Sequence, residues 1–133
     1  MVYRLVSKTN DHNGHEGSSP SRGTYPIMKK LSLNEHKDAT RDITAKMPSN
    51  EDWTIHNRLA ELMEEVGELA NAIQTDEGFK SKKRKKSDLT DSVCDVLFEV
   101  FSIAANYKVD LDLEYPKVLK QIDDRRKSGE FDH

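Results

Sequence analysis

The chain has 133 residues, 35% hydrophobic and 34% charged, and its 21 Lys and Arg against 24 Asp and Glu give a formal charge of −3. That length bounds it to about one domain with a modest core, and so much charge must line helix faces, loops or tails in water. No apolar run approaches the roughly 18 to 20 residues that cross a bilayer, the N-terminal stretch lacks the apolar core of a secretion signal, and the lone Cys94 offers neither a disulfide nor a four-ligand zinc site, so a soluble protein of a reducing cytoplasm is expected.

Residues 7 to 26 are rich in Asn, Gly, Ser and Pro and follow no helical or strand period, which predicts a flexible extension over residues 1–28, with Met28 an alternative start. His12 and His15 lie in it without further fixed ligands and read as solvated. Over residues 29–133 the expectation is a helical domain. Ser32 followed by Glu35 resembles a capping box, and Leu33, His36, Thr40, Ile43 and Met47 set a first amphipathic helix that Pro48 ends. Ser49 or Asn50 then caps a second helix from about 52 to 75, closed by Gly78, with Leu59, Leu62, Val66, Leu69 and Ile73 as its apolar stripe. Gly67, inside that helix, costs about 1 kcal/mol relative to alanine; it is either tolerated or marks close approach of a backbone or ligand.

After a basic stretch of Lys80, Lys82, Lys83, Arg84, Lys85 and Lys86, Ser87 caps a third helix that reaches Tyr107. Val93, Val96, Leu97, Phe98, Val100, Phe101, Ile103 and Ala104 spread over a wide arc of it, predicting the most buried helix, with Cys94 a buried thiol. One neighbouring helix cannot cover that arc, so a second packing partner is expected, another subunit among the candidates. Asp110 or Asp112 caps a fourth helix whose buried stripe is Tyr115, Val118, Leu119 and Ile122; Pro116 fits only near its first turn or at a kink. No segment alternates with period two, so the fold class is all-α, a four-helix bundle.

Two of these helices carry rows of carboxylates. At about 100° per residue, Glu61, Glu64, Glu65 and Glu68 fall in one narrow arc opposite the apolar stripe, and Asp88, Asp91, Asp95 and Glu99 repeat the layout on the next helix. A single acid row is ordinarily a solvated face. Here, however, Arg58 is the one positive charge between 51 and 79, so the acids repel without relief. If the two helices pack antiparallel, both rows converge on one cleft, where a divalent cation removes the repulsion. Mg²⁺ suits them: it takes oxygen ligands, retains waters and meets substrate phosphates, and the rise of about 10 Å from Glu61 to Glu68 leaves room for more than one ion.

The phrase EEVGELA at Glu64 to Ala70, followed by DVLFEVFSIAANYKVDLDLEY at 95 to 115, resembles the MazG-like all-α nucleoside triphosphate pyrophosphohydrolases over roughly residues 50 to 131. Those proteins carry Glu-Glu-x-x-Glu on one helix and Glu-x-x-Asp on the next. Glu64, Glu65 and Glu68 complete the first half and Asp95 takes the aspartate position, but Ser92 stands where the family has glutamate, so that either Asp91 or Asp88 substitutes as a ligand or one metal position is weakened. Glu99 adds a carboxylate where some relatives have an aromatic residue.

The resemblance implies Mg²⁺ held by Glu64, Glu65, Glu68 and Asp95, with Asp91 a further candidate, and hydrolysis of (deoxy)nucleoside triphosphates to monophosphate and pyrophosphate in nucleotide-pool house-cleaning. One glutamate would orient or deprotonate the attacking water. Lys120, Arg125 and Arg126 are candidates for the phosphates, and the Lys80 to Lys86 loop for closing over them, against the plainer reading of solvated basic residues. Trp53, His56 and Asn57 are candidates for stacking on and hydrogen-bonding a base, with Trp53 equally suited to core packing. A homodimer or homotetramer is expected, with no membrane contact and no nucleic-acid partner, since the basic loop lacks interleaved aromatics. Two alternatives stand beside this reading: the RRKSGEF ending is also similar to phosphoribosyl-ATP pyrophosphohydrolase of histidine biosynthesis, and a helical dimerisation module would leave the acids merely solvated. No phosphate-binding GxxxxGK[ST] loop or GxGxxG phrase is present, and the apolar neighbours of Cys94 do not activate it as a nucleophile.

Overall fold

A computed structural model describes residues 30–48 and 52–132; the expectations for the extension, for His12 and His15, and for Ser49 or Asn50 as a cap fall outside them. The described residues form four α-helices and no strand: α1 Leu33–Thr44, α2 Ile55–Asp76, α3 Leu89–Asn106 and α4 Leu111–Lys127, with a 3₁₀ turn at Lys82–Arg84 between α2 and α3.

Local chemistry explains the helix starts. The α1 capping box is present: the Ser32 hydroxyl accepts from the Glu35 N–H at 3.1 Å and the Glu35 carboxylate accepts from the Ser32 N–H at 2.7 Å. The N-cap of α2 is Thr54, whose N–H and hydroxyl both donate to the Asn57 side-chain oxygen, at 3.0 and 2.8 Å. Asp88, rather than Ser87, is the N-cap of α3, without a side-chain capping hydrogen bond, and the Ser87 hydroxyl is bonded to that of Ser92. Asp110 caps α4, accepting from the Leu113 N–H at 3.1 Å.

The α1 and α4 starts also lock together. Asp112 accepts from the Leu33 N–H at 3.0 Å, and Asn34 donates to Asp110 at 2.8 Å while accepting from the Leu111 N–H at 2.9 Å. Helix α2 ends where Gly78 adopts φ +81°, and α3 ends on Lys108 at φ 53°, with the Val109 N–H returning to the Ala104 carbonyl at 2.9 Å.

Helices α2 and α3 pack most extensively on each other, α1 lies against α3, and α4 packs mainly on α1. Arg58 near the start of α2 meets Glu99 far along α3, while Asn71 late in α2 accepts from the Lys86 N–H just before α3; the pair is therefore antiparallel. Lys85 ties the same end by pairing with Asp76 at 3.1 Å and Asp88 at 2.9 Å.

The core corrects several expectations. Among the described residues the buried apolar side chains are Ala72 and Ala104, whereas the buried polar or charged ones are Thr40, Thr44, Glu65, Thr75, Ser92, Glu99 and Ser102. The threonines satisfy themselves on carbonyls of their own helix: Thr40 on His36, Thr44 on Arg41 and Thr75 on Asn71. Val93, Leu97 and Val100 of α3 and Leu59, Met63 and Val66 of α2 lie open on the surface, as does the predicted stripe of α4, Tyr115, Val118, Leu119 and Ile122. Cys94, on the same outward side of α3, is exposed rather than buried. The helical periods were sound, but the polar faces of α2 and α3 form the inner seam. A Cβ on Gly67 would meet nothing within 4 Å, so that glycine marks no close approach within the described chain. Pro116 lies inside α4, in its second turn.

Candidate functional site

The antiparallel seam brings part of each acid row together. On α2, Arg58, Glu61, Glu65 and Glu68 follow one another at helical spacing on the side facing α3; on α3, Ser92, Asp95, Glu99 and Ser102 do the same facing α2. Glu65 and Glu99 are buried, at 6% and 5% exposure, whereas Glu61, Glu68 and Asp95 are partly open to solvent. Glu64 is exposed, as are Asp91 and Asp88, the latter held by Lys85. Of the predicted ligands, Glu65, Glu68 and Asp95 thus line the seam, while Glu64 and Asp91 flank it.

The burial is electrostatically costly. Desolvation, followed by the charges of Asp95, Glu68, Glu61 and Glu99, raises the Glu65 carboxyl from 4.5 to about 7. Asp95 is raised by burial and then by Asp91 and Glu68. Glu99 is raised by burial, opposed by Arg58 and reinforced by Glu61 and Asp95. Arg58 stands 3.8 Å from one Glu99 oxygen. Oε2 of Glu65 and Oε2 of Glu99 are buried without a hydrogen-bond partner among the described residues.

An all-oxygen set with unpartnered buried carboxylate oxygens has the donor chemistry of a hard divalent cation. Among the described residues no three Asp, Glu, His or Cys side chains stand close enough together to cage an ion. The seam is an acid-lined channel rather than a finished cage.

Two helical turns from Glu65, a cavity of about 280 Å³ opens between the start of α2 and the end of α3, lined among others by Arg41, Trp53, Arg58, Ser102 and Asn106. The Arg58 guanidinium lies over the Trp53 ring, 4.8 Å from its centroid, and connects the cavity to Glu99. Trp53 is half-buried there, and the Ser102 hydroxyl is buried without a partner among the described residues. His56 is exposed, and the Asn57 side-chain oxygen is used in capping α2.

Arg58, Arg41, Ser102 and Asn106 were not among the expected site residues. Only Arg58 had left a signal, as the single cation amid acids. The basic candidates of α4 are occupied locally: Lys120 pairs with Asp124, Arg126 with Asp123 at 2.8 Å, and Arg125 with Glu130 while lying 5.0 Å from the Phe131 ring centroid. No described hydrogen bond or ion pair joins them to the acid seam.

Residues 53–128, more than half of the chain, match the MazG nucleotide pyrophosphohydrolase domain family; the match holds α2, α3 and α4. No curated protein and no solved structure matches the chain.

Proposed function

The chain belongs to the MazG nucleotide pyrophosphohydrolase family, and on that premise we propose that it hydrolyses (deoxy)nucleoside triphosphates to monophosphate and pyrophosphate with Mg²⁺, as a house-cleaning enzyme of the cytoplasm. The observation carrying this reading is the buried Glu65 carboxyl, with one oxygen unpartnered among the described residues and repelled by Asp95, Glu68, Glu61 and Glu99, on a pair of helices whose one Lys or Arg is Arg58.

Glu65, Glu68 and Asp95 would hold the Mg²⁺. When bound, the ion neutralises phosphate charge and polarises the anhydride. The chain's own residues do the rest. The seam walls bury Glu65 and leave Glu68 and Asp95 partly open, so the row can meet both the ion and the phosphates it draws in. A carboxylate of the row left off the ion takes the proton of the attacking water as the anhydride between α and β phosphates opens and pyrophosphate leaves. The cavity at Trp53 and Arg58 takes the base, with Trp53 supplying an aromatic face and Asn106 and Ser102 supplying hydrogen-bonding groups.

The reading includes a homodimer or homotetramer. Met63 is 61% exposed and Leu97 46%, and such rows on α2 and α3 are covered when a second copy packs on them. Among the described residues no helix is long and apolar enough to cross a membrane. The test is a panel of nucleoside and deoxynucleoside triphosphates with Mg²⁺, read by pyrophosphate release. Turnover by the wild type and its loss in Glu68→Gln and Asp95→Asn are expected; unchanged activity in those variants would remove the site assignment.

A further inference from the structure

Ser92 is fully buried and its hydroxyl is bonded to Ser87, so this position sends no carboxylate into the seam. Asp88 is exposed and paired with Lys85, and Asp91 is exposed. Glu99 is different. It lies one turn beyond Asp95 on the same face of α3, it is buried, and only one of its oxygens meets Arg58. The other, Oε2, is buried without a partner among the described residues, as is Oε2 of Glu65 on the opposing helix. An ionised carboxylate oxygen left bare inside a protein is costly, and a cation shared between two such oxygens removes the cost for both.

We infer that Glu99 is a cation ligand of this chain, sharing an ion with Glu65 across the seam between α2 and α3. The inference rests on the Mg²⁺-dependent reading above.

The test uses the full chain and Mn²⁺ as a spectroscopic stand-in for Mg²⁺, titrated alone and with an α,β-methylene triphosphate analogue. Bound Mn²⁺ is counted by electron paramagnetic resonance, so the readout does not depend on turnover. Glu99→Gln is expected to weaken Mn²⁺ binding tenfold or more, as Glu65→Gln does, while Asp91→Asn, which removes the same charge from beside Asp95, weakens it less. Mn²⁺ affinity in Glu99→Gln within twofold of wild type, with Glu65→Gln impaired, would overturn the role of Glu99 and leave the proposed function standing. A wild type that binds no Mn²⁺ in either condition would overturn both. Far-UV circular dichroism checks that each variant is folded. Should Glu99→Gln fail that check, Glu99→Asp takes its place, with an expected loss of at least threefold and the same refuting result.

Discussion

The substitution Glu65→Gln is expected to make the metal-free protein more stable and the enzyme inactive. In the unfolded chain this carboxyl titrates near 4.5, and in the folded protein near 7. Below pH 4.5 both states hold the proton and the shift contributes nothing. Between 4.5 and 7 the unfolded state releases its proton while the folded state keeps it, so stability falls as pH rises. Above about 7 the penalty is complete: about 2.5 pKa units at 1.36 kcal/mol each, or about 3 kcal/mol. That is a large share of a typical folding free energy of about 5–15 kcal/mol. Glutamine keeps the shape and carries no charge, so the variant should match wild type near pH 4.5 and exceed it by about 3 kcal/mol at pH 8 in EDTA. Urea denaturation at the two pH values measures this. Added Mg²⁺ should stabilise wild type at pH 8 and leave Glu65→Gln unchanged, because only the former gains a ligand in its folded state. A stability difference independent of pH, or a variant weaker than wild type at pH 8, would refute the description of Glu65 as a buried, repelled carboxyl.

Arg58→Met leaves Glu99 buried with no opposite charge, and is expected to lose about 3–5 kcal/mol in denaturation at pH 8, with the loss shrinking as pH is lowered, because burial raises the Glu99 carboxyl and favours its protonated form. Lys108 holds a left-handed conformation at φ 53° that costs a side chain about 1 kcal/mol, so Lys108→Gly should raise stability by about that amount with activity unchanged. Asn57→Ala removes the oxygen that holds the Thr54 N–H and hydroxyl, and should lower stability by about 1 kcal/mol in thermal melts. Leu97→Glu places a charge on the open apolar row of α3; on the proposal that a second copy covers this row, light scattering should show wild type above the 15.2 kDa single chain and the variant shifted toward it.

Much of the helix arrangement was legible from periodicity and caps. The Ser32 and Glu35 box, the glycine stop at Gly78 and the Asp110 cap follow from local hydrogen bonding, which a sequence displays. Sidedness was not. A wheel shows that Val93 and Leu97 oppose Asp95 and Glu99, but not which side meets α2, and the usual rule that apolar faces turn inward misplaced the core and Cys94. The acids of the seam were legible as residue types at i, i+3, i+4 and i+7 spacing, but that spacing could not separate Glu65, which is buried, from Glu64 one residue earlier, which is exposed. A helix turns about 100° per residue, enough to move a side chain from seam to rim. Arg58, Ser102 and Asn106 gather only when the start of α2 meets the end of α3, a juxtaposition that no local pattern records.

The most direct measurement follows the phosphorus products by ³¹P nuclear magnetic resonance when the full chain meets a nucleoside triphosphate, with Mg²⁺ and with EDTA. Monophosphate and pyrophosphate in equal amounts, formed only with the metal, are expected if the seam of Glu65, Glu68 and Asp95 works as a cation site for opening the α–β anhydride. Release of inorganic phosphate instead, or the same turnover in EDTA, would contradict it.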